Sequence, residues 1–242
     1  KGIKYSSNLN FINSSSLNIL AVPTHGLFDS VKKINIKNSK FVILSKGYDN
    51  ATGLLPSQLL ADKSDIDINN IAVLSGPNHA EEIIDDKSAA TVISSINDNF
   101  AKDLQTLFSS NTFRVYTSDD IIGVQLGGAI KNVIAIASGI CAGLKLGDNS
   151  QAALVSRGLN EILELSKIYD INNNTLYGLS GIGDLIATCY SKHSRNRQLG
   201  ILLSKGKNLN EAIDLIGMVS EGVNTSKILN NIIIDNNLEM PI

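Results

Sequence analysis

Residues 126–144 read LGGAIKNVIAIASGICAGL, and Lys131 is the only charged side chain in this stretch. A helix built from these residues would be largely buried, and a buried ammonium group is costly unless another group pairs with it. Burial also lowers the pKa of a lysine toward the range in which it exchanges protons near neutral pH. The stretch therefore predicts a core helix. Its lysine either donates and accepts protons or extends along the helix to the surface.

Composition narrows the class of protein. The chain has 242 residues, enough for one large or two small domains, with 21 Lys+Arg against 23 Asp+Glu and a net charge of −2. That balance argues against a nucleic-acid binder, which needs a basic surface, but a local cation cluster would suffice for a small anion. The two cysteines suggest neither a disulfide framework nor a zinc site, and we expect a reducing, cytoplasmic compartment. There is no visible signal peptide, and the uncharged run at residues 132–144 is too short to span a membrane.

The first half of the chain alternates strand and helix patterns, which predicts an α/β sheet with parallel strands. The predicted strands are residues 17–23, 41–45, 71–74, 91–95 and 113–116, and the predicted helices are 26–34 and 99–109. In such sheets ligands bind beyond the carboxyl ends of the strands. Three polar turns stand at such ends: residues 23–25 (PTH), 45–47 (SKG) and 75–78 (SGPN).

After Tyr116 the patterns are almost entirely helical. The predicted helices are residues 119–146, 150–169, 184–189, 194–205 and 209–218. Thr117, Ser118 and Asp119 form a good helix N-terminal cap. We therefore predict a partial Rossmann-like dinucleotide-binding domain at residues 1–117 and an all-helical substrate and catalytic domain at residues 118–242.

Two arginines are predicted in the first turn of one helix. Residues 191–205 read SKHSRNRQLGILLSK, with Ser194 as a candidate cap before Arg195, Asn196 and Arg197. Cations at a helix N-terminus oppose the macrodipole, but they suit a site at which an anion such as phosphate binds. The alternative is an ordinary solvent-exposed basic turn.

Asp184 and Thr188 are four residues apart in the stretch GLSGIGDLIATC, so they share one helix face. An aspartate in so apolar a stretch requires a cationic partner, and Lys131 is the obvious candidate; otherwise Asp184 is a helix cap. Lys46 follows a predicted buried strand, so its amine should project over the sheet edge. Glu221 is either a site residue or a first-turn acid.

Several stretches together resemble one family, the bacterial NAD(P)-dependent glycerol-3-phosphate dehydrogenases. The matching stretches are SKGYD (45–49), LSGPNHAEE (74–82), FRVYTSDDIIGVQLGGAIKNVIAIASGI (113–140), GDNSQAALVSRGLNE (147–161), GLSGIGDLIATC (178–189), SRNRQLG (194–200), SEGVNT (220–225) and EMPI (239–242). They occur in family order over nearly the whole chain, and the long block around Lys131 is the most specific.

The resemblance implies hydride transfer between NAD or NADP and the pair dihydroxyacetone phosphate and sn-glycerol 3-phosphate, which feeds glycerophospholipid synthesis. It implies a homodimer and no metal. Lys131 would be the general acid and base, with Lys46 and Asp184 as further catalytic residues. Substrate would contact Lys46, Gly76, Asn78, Lys131, Asn132, Asp184, Thr188, Ser194, Arg195 and Asn196, the last three at its phosphate. Cofactor would contact Lys46, Ala80, Arg195, Val219 and Glu221.

The chain departs from the family pattern in three ways. Asn78 stands where the family usually has Ser or Thr. The glycine-rich turn G-x-G-x-x-G is absent, so we expect that a segment carrying it precedes Lys1 or was never present, and that the end after EMPI is cut short. Without that turn we expect weak cofactor binding and little turnover from this chain alone, although the full protein should be active.

The sequence leaves two alternatives open. A 6-phosphogluconate or β-hydroxyacid dehydrogenase also carries a lysine on such a helix, but separates it from an asparagine by one turn, whereas Lys131 and Asn132 are adjacent and residue 135 is alanine. A degenerate, non-catalytic paralogue is disfavoured by the retained Lys46, Lys131, Asp184, Arg195 and Asn196.

Overall fold

The structure is a computed structural model that describes residues 5–7, 17–32, 39–64, 66–217 and 220–242. Among these residues, five strands form one sheet in the order β1-β2-β3-β4-β5. They are β1 (Leu17–Leu20), β2 (Lys40–Ile43), β3 (Ile71–Ser75), β4 (Ala89–Ser94) and β5 (Phe113–Ser118). The predicted strands are thus confirmed with shifted ends, and β1, β2 and β3 are parallel neighbours.

One strand pair departs from the parallel pattern, because β3 and β4 are antiparallel. A parallel crossover needs a connection that packs across the sheet, usually through a helix. The connection here contains only α3 (Ala80–Ile84), which has no buried residue and so does not cover the sheet. The chain therefore turns back on itself, and β5 then pairs in parallel with β4.

In the part of the chain that the structure describes, the sheet is also accompanied by α1 (Thr24–Val31), α2 (Pro56–Ser64) and α4 (Asp98–Phe108). The predicted helix at 26–34 corresponds to α1, and its last two residues lie outside the described residues. α4 confirms the prediction for 99–109. Neither α2 nor α3 was predicted, because α2 carries only two adjacent leucines as large apolar side chains and α3 is a single exposed turn.

The second half is helical, as predicted, and is organised around one long helix. The helices are α5 (Ile121–Gly143), α6 (Asp148–Glu164), α7 (Asn173–Tyr177), α8 (Asp184–Tyr190), α9 (Arg195–Ser204), α10 (Leu209–Ile216) and α11 (Glu221–Asn236). The cap of α5 is Asp120, which accepts a hydrogen bond from the Gly123 N–H at 2.8 Å, rather than the predicted residues 117–119. The predicted end of α10, Met218, lies outside the described residues.

Helix α5 is the core of this half. By length and composition alone it is a candidate membrane span, but 78% of its most apolar window is buried inside the protein, as in the core helix of a globular fold. It packs against α9 at backbone distance, since a Cβ added to Gly139 would lie 2.0 Å from the Arg197 carbonyl oxygen. A Cβ on Gly200 would equally meet the Ile136 carbonyl oxygen at 2.0 Å. The glycines therefore bring the N-terminus of α9 against α5.

The hydrophobic core does not divide cleanly at residues 117/118. Tyr48 and Leu55, which follow β2, are buried in the same cluster as the α5 and α6 side chains. Conversely, Ile121 and Val124 of α5 pack with the side chains of the sheet. The predicted domain boundary stays a prediction, and the two halves share apolar contacts on both sides of it.

Candidate active site

A cleft of about 920 Å³ lies beyond the carboxyl ends of β1 and β2 and faces α5, α8 and α9. Both predicted groups of site residues reach it, from the strand ends and from the helices. Its lining includes Lys46, Asn78, Ala80, Lys131, Asn132, Asp184, Thr188, Ser194, Arg195, Asn196 and Glu221. Residues separated by up to 175 positions in sequence, from Lys46 to Glu221, are thus brought to one cleft, as the strand-end rule predicts.

The floor of the cleft is a network of two lysines and one aspartate, in which Lys131 and Asp184 are buried and Lys46 is partly exposed. Lys131 Nζ donates to Asp184 Oδ1 at 2.6 Å and to Thr188 Oγ1 at 2.9 Å. Lys46 Nζ donates to the other carboxylate oxygen, Asp184 Oδ2, at 2.7 Å. Lys131 is only 7% exposed and Asp184 only 2%. The surface-extending alternative for Lys131 and the cap alternative for Asp184 are therefore both wrong.

Burial and the neighbouring charge of Lys46 lower the pKa of Lys131 to about 8, against the opposing attraction of Asp184. Burial alone would raise the pKa of Asp184, but the Lys46 and Lys131 ammonium groups outweigh it and hold that pKa below its ordinary value. One carboxylate therefore faces two amines, and the network suits a proton donor that exchanges near neutral pH.

Local helix geometry places Asp184 and Thr188 on the side facing Lys131. A turn of π-helix at Leu179–Gly183 leads directly into α8, whose first residue is Asp184. Thr188, one turn later, donates to the Asp184 carbonyl oxygen at 2.6 Å, which fixes its hydroxyl beside the lysine. The predicted spacing of four residues is what brings both side chains to Lys131.

The N-terminus of α9 opens onto the same cleft. Ser194 caps it as predicted, accepting from the Arg197 N–H at 3.2 Å, and Arg195 is exposed at the first helical position. First-turn N–H groups lack acceptors within their own helix, and together with a guanidinium they suit a phosphate. Asn196 is buried and its amide Nδ2 donates to Asn132 Oδ1 at 3.0 Å, which ties this turn to α5 next to Lys131.

The strand-end side is less densely bonded. Lys46 also reaches the Gly76 carbonyl oxygen, at 3.4 Å, and Asn78 Nδ2 donates to Thr91 Oγ1 at 3.3 Å. Gly76 has φ +155°, and a Cβ there would lie 2.9 Å from Thr91 Cα, so a side chain at this turn would be excluded by the neighbouring strand. Gly76 thus shapes the turn that brings Asn78 to the cleft.

Of the predicted cofactor contacts, Ala80 is exposed at the start of α3 and Glu221 begins α11, both in the cleft lining. Burial raises the pKa of Glu221, against the opposing influence of His25, the Thr24 backbone N–H and Arg195. Val219 lies outside the described residues, so its predicted contact is not placed.

Three cleft residues were not among the predicted site residues. His79 and His193 line the cleft from opposite halves, with ring centroids 6.4 Å apart. Ser220 is 3% exposed and its hydroxyl donates to Asn196 Oδ1. A serine before an acidic first turn is typical of a helix cap, and neither histidine has a patterned neighbour, so only the three-dimensional arrangement identifies them.

Within the described residues, no group of three or more His, Cys, Asp or Glu side chains is placed to hold a metal ion. Both cysteines are buried and free, and burial raises the pKa of the Cys189 thiol to about 12, which makes it a poor nucleophile. Neither a metal cluster of these residues nor a cysteine nucleophile is therefore available to the cleft in the described part of the chain.

Two family models, for the two halves of one enzyme family, together match most of the chain. Residues 2–101 match the NAD-dependent glycerol-3-phosphate dehydrogenase N-terminus, and residues 120–242 match the C-terminus of the same enzymes. The chain belongs to the glycerol-3-phosphate dehydrogenase family. This confirms the resemblance, and the predicted fold class, a Rossmann-like domain followed by helices, is confirmed with it.

Curated relatives and solved structures of the family agree with this assignment. The glycerol-3-phosphate dehydrogenase [NAD(P)+] of Staphylococcus carnosus is 43% identical over 100% of this chain and 74% of its own. That of Oceanobacillus iheyensis is 44% identical over 93% of this chain and 66% of its own. The crystal structure of the Coxiella burnetii glycerol-3-phosphate dehydrogenase superposes with a TM-score of 0.87 at 34% identity, covering 93% of this chain and 70% of that one. The chain thus spans about two thirds to three quarters of these relatives' length.

Proposed function

We propose that this protein interconverts dihydroxyacetone phosphate and sn-glycerol 3-phosphate by hydride transfer with NADH or NADPH, and so supplies glycerophospholipid synthesis. The observation that carries the proposal is the buried Lys131–Asp184–Lys46 network beside the N-terminus of α9. It joins a proton donor to an anion-binding helix end within one cleft.

The three-carbon phosphate would bind with its phosphate at the start of α9. Arg195 would supply a guanidinium there, Ser194 and Asn196 frame the turn, and the positive end of the helix dipole favours an anion at this place. Thr188 would flank the carbon chain, Gly76 and Asn78 would close it from the strand side, and Asn132 would lie beside the first turn of α9, to which it is hydrogen-bonded through Asn196. The network carries two amines for one carboxylate, and the unbalanced positive charge favours a dianionic substrate.

Lys131 would act at the reacting oxygen. When the ketone is reduced, negative charge develops on that oxygen, and a positioned ammonium donates a proton to it; in the reverse direction the neutral amine accepts the proton. Asp184 holds Lys131 in place and keeps Lys46 beside it, so that both amines face the same oxygen. We therefore propose proton transfer as the role of Lys131 and orientation of the substrate as the role of Lys46.

The cleft also fits the nicotinamide end of a dinucleotide. Its volume of about 920 Å³ is at the upper end for small-molecule sites and exceeds what a three-carbon phosphate fills. Lys46, Ala80, Arg195 and Glu221 are the described residues that would hold the cofactor, which supplies the hydride when bound. Val219 would join them. We further propose a homodimer in the cytoplasm, which size-exclusion chromatography with light scattering and cell fractionation would test.

An assay of NADH and NADPH oxidation by the full-length protein, with and without dihydroxyacetone phosphate, tests the activity. We expect oxidation that depends on the phosphorylated ketone. Absence of oxidation with both cofactors would contradict the proposal. Oxidation of a 3-hydroxyacid or of 6-phosphogluconate with reduction of NAD or NADP instead would favour the related dehydrogenases.

A further inference from the structure

Three buried polar side chains form a continuous hydrogen-bonded chain from α11 to α5. Ser220 Oγ and the Gly222 N–H, the latter at 3.1 Å, both donate to Asn196 Oδ1. Asn196 Nδ2 in turn donates to Asn132 Oδ1 at 3.0 Å. Ser220, Asn196 and Asn132 are 3%, 8% and 6% exposed. We call this chain the amide relay.

The relay has only one possible polarity. The Gly222 N–H can donate but not accept, so the oxygen of the Asn196 amide must face α11 and its nitrogen must face Asn132. Asn132 then has to present its oxygen to Asn196, which leaves the nitrogen of the same amide group directed away from that bond. Asn132 lines the cleft, and no hydrogen bond of its Nδ2 occurs among the described residues.

We propose that Ser220 and the Gly222 backbone act through Asn196 as positioning groups that turn the Asn132 amide so that its N–H donors face the substrate phosphate. This inference rests on the proposed function, which places that phosphate at the first turn of α9. Asn196 belongs to that turn and Asn132 touches it, so the Asn132 amide group stands at the phosphate position. The side chain of Asn196 is thereby assigned to the relay rather than to direct phosphate binding.

Ser220 has no other described role for its hydroxyl. It is the N-terminal cap residue of α11, where a serine usually accepts from a first-turn N–H, yet it makes no such side-chain cap bond. Its hydroxyl donates across to α9 instead. Replacing it with alanine therefore removes the relay contact without removing a cap. Ser226 on the same helix, whose hydroxyl donates to the Val223 carbonyl oxygen at 2.9 Å, offers a matched control.

The test compares the Michaelis constant for dihydroxyacetone phosphate and the competitive inhibition constant of inorganic phosphate in S220A, S220T and S226A. Both constants are independent of the fraction of protein that is folded, so a less stable variant is still informative. For S220A we expect both to rise roughly 2- to 10-fold, the effect of one neutral hydrogen bond, with the constant for NADH unchanged. In S220T, which keeps the hydroxyl, both constants should return toward the wild-type values. In S226A both should equal the wild-type values.

Three results would overturn the relay. One is an S220A variant with both constants unchanged, and another is an S220T variant that loses as much as S220A. The third is a rise for NADH without one for the phosphorylated ketone, which would assign Ser220 to the cofactor. A wild-type protein that fails to oxidise NADH with dihydroxyacetone phosphate would instead contradict the proposed function, before any variant is compared.

Discussion

The two walls of the cleft are built differently. On the helical wall, Lys131, Asp184 and Thr188 are buried and joined by hydrogen bonds of 2.6 to 2.9 Å. On the strand-end wall, the Lys46 side chain is 20% exposed and Asn78 makes one long side-chain hydrogen bond at 3.3 Å. Groups that must keep a fixed geometry thus stand on packed helices, and groups that reach toward a ligand stand on the turns after strands.

Asp184 is where the two walls meet. Each of its carboxylate oxygens accepts from a lysine of a different wall, at 2.6 and 2.7 Å. The carboxylate therefore joins the halves electrostatically as well as orienting Lys131. If the helical wall carries the chemistry and the strand wall assists, substitutions should have graded effects in that order.

Lys131→Met should have the largest effect. Methionine keeps an unbranched apolar side chain of similar length but has no proton to donate, so kcat should fall about 10²- to 10⁴-fold. The melting temperature should stay near that of wild type, since Asp184 keeps Lys46 as a partner. Lys102→Met, exposed on α4, is the control and should retain activity. A Lys131→Met enzyme with near-normal turnover would remove this lysine from the mechanism.

Asp184→Asn should lower stability most. It leaves two amines without their carboxylate at a buried site, and breaking a buried ion pair costs about 3–5 kcal/mol in the free energy of unfolding. Asp98→Asn breaks an exposed ion pair with Lys102 and should cost less than about 1 kcal/mol. Urea unfolding of both variants measures the difference. Equal losses at the two positions would mean that the buried network contributes nothing special to stability.

Arg195→Ala should act on substrate affinity rather than on turnover. A charge-assisted hydrogen bond contributes about 1.5–3 kcal/mol, so KM for dihydroxyacetone phosphate should rise about 10- to 100-fold. Arg114→Ala, an exposed arginine over Tyr116 on β5, is the matched control. Initial-rate kinetics at saturating cofactor separate KM from kcat. An unchanged KM in Arg195→Ala would place the phosphate elsewhere in the cleft.

Asn78→Ser should have the smallest effect. It places the residue usual in the family at the strand-end wall and removes the hydrogen bond to Thr91, while a hydroxyl can still bond substrate. We expect kcat/KM within about threefold of wild type, because a neutral hydrogen bond contributes only about 1 kcal/mol. A loss as large as that of Arg195→Ala would show that the strand wall binds substrate as strongly as the helical wall.

The residues of the helical wall could be predicted from the sequence because each stands in a recognisable local helix pattern. Lys131 is conspicuous in an apolar helix, Asp184 and Thr188 are one turn apart, and Ser194 is a recognisable cap. Because ligands of α/β sheets bind beyond the carboxyl ends of the strands, these helical residues are expected to face the strand ends across one cleft. Whether Lys131 extends to the surface or pairs with Asp184 is decided only by the 2.6 Å distance between Lys131 Nζ and Asp184 Oδ1, since an exposed and a paired lysine have the same sequence pattern.

The features that the sequence did not predict depend on contacts between distant segments. The antiparallel pairing of β3 with β4 follows from how little of the sheet α3 covers. The hydrophobic periodicity of the sequence does not indicate how much of a sheet a helix covers. Tyr48 joins the helical core from the first half, and Ser220 bonds Asn196 across 24 positions. Such tertiary contacts carry no local signal, so a cap-like serine and a loop tyrosine were not recognisable.

The most direct measurement is the pH dependence of kcat/KM in both reaction directions, because Lys131 has a pKa lowered to about 8. Reduction of dihydroxyacetone phosphate needs the protonated amine, so its kcat/KM should be constant at lower pH and fall as pH rises through about 8. Oxidation of sn-glycerol 3-phosphate needs the neutral amine and should rise through the same pH. Opposite profiles, each with its midpoint near pH 8, are predicted; two profiles that are flat there, or that change in the same direction, would contradict proton transfer by Lys131.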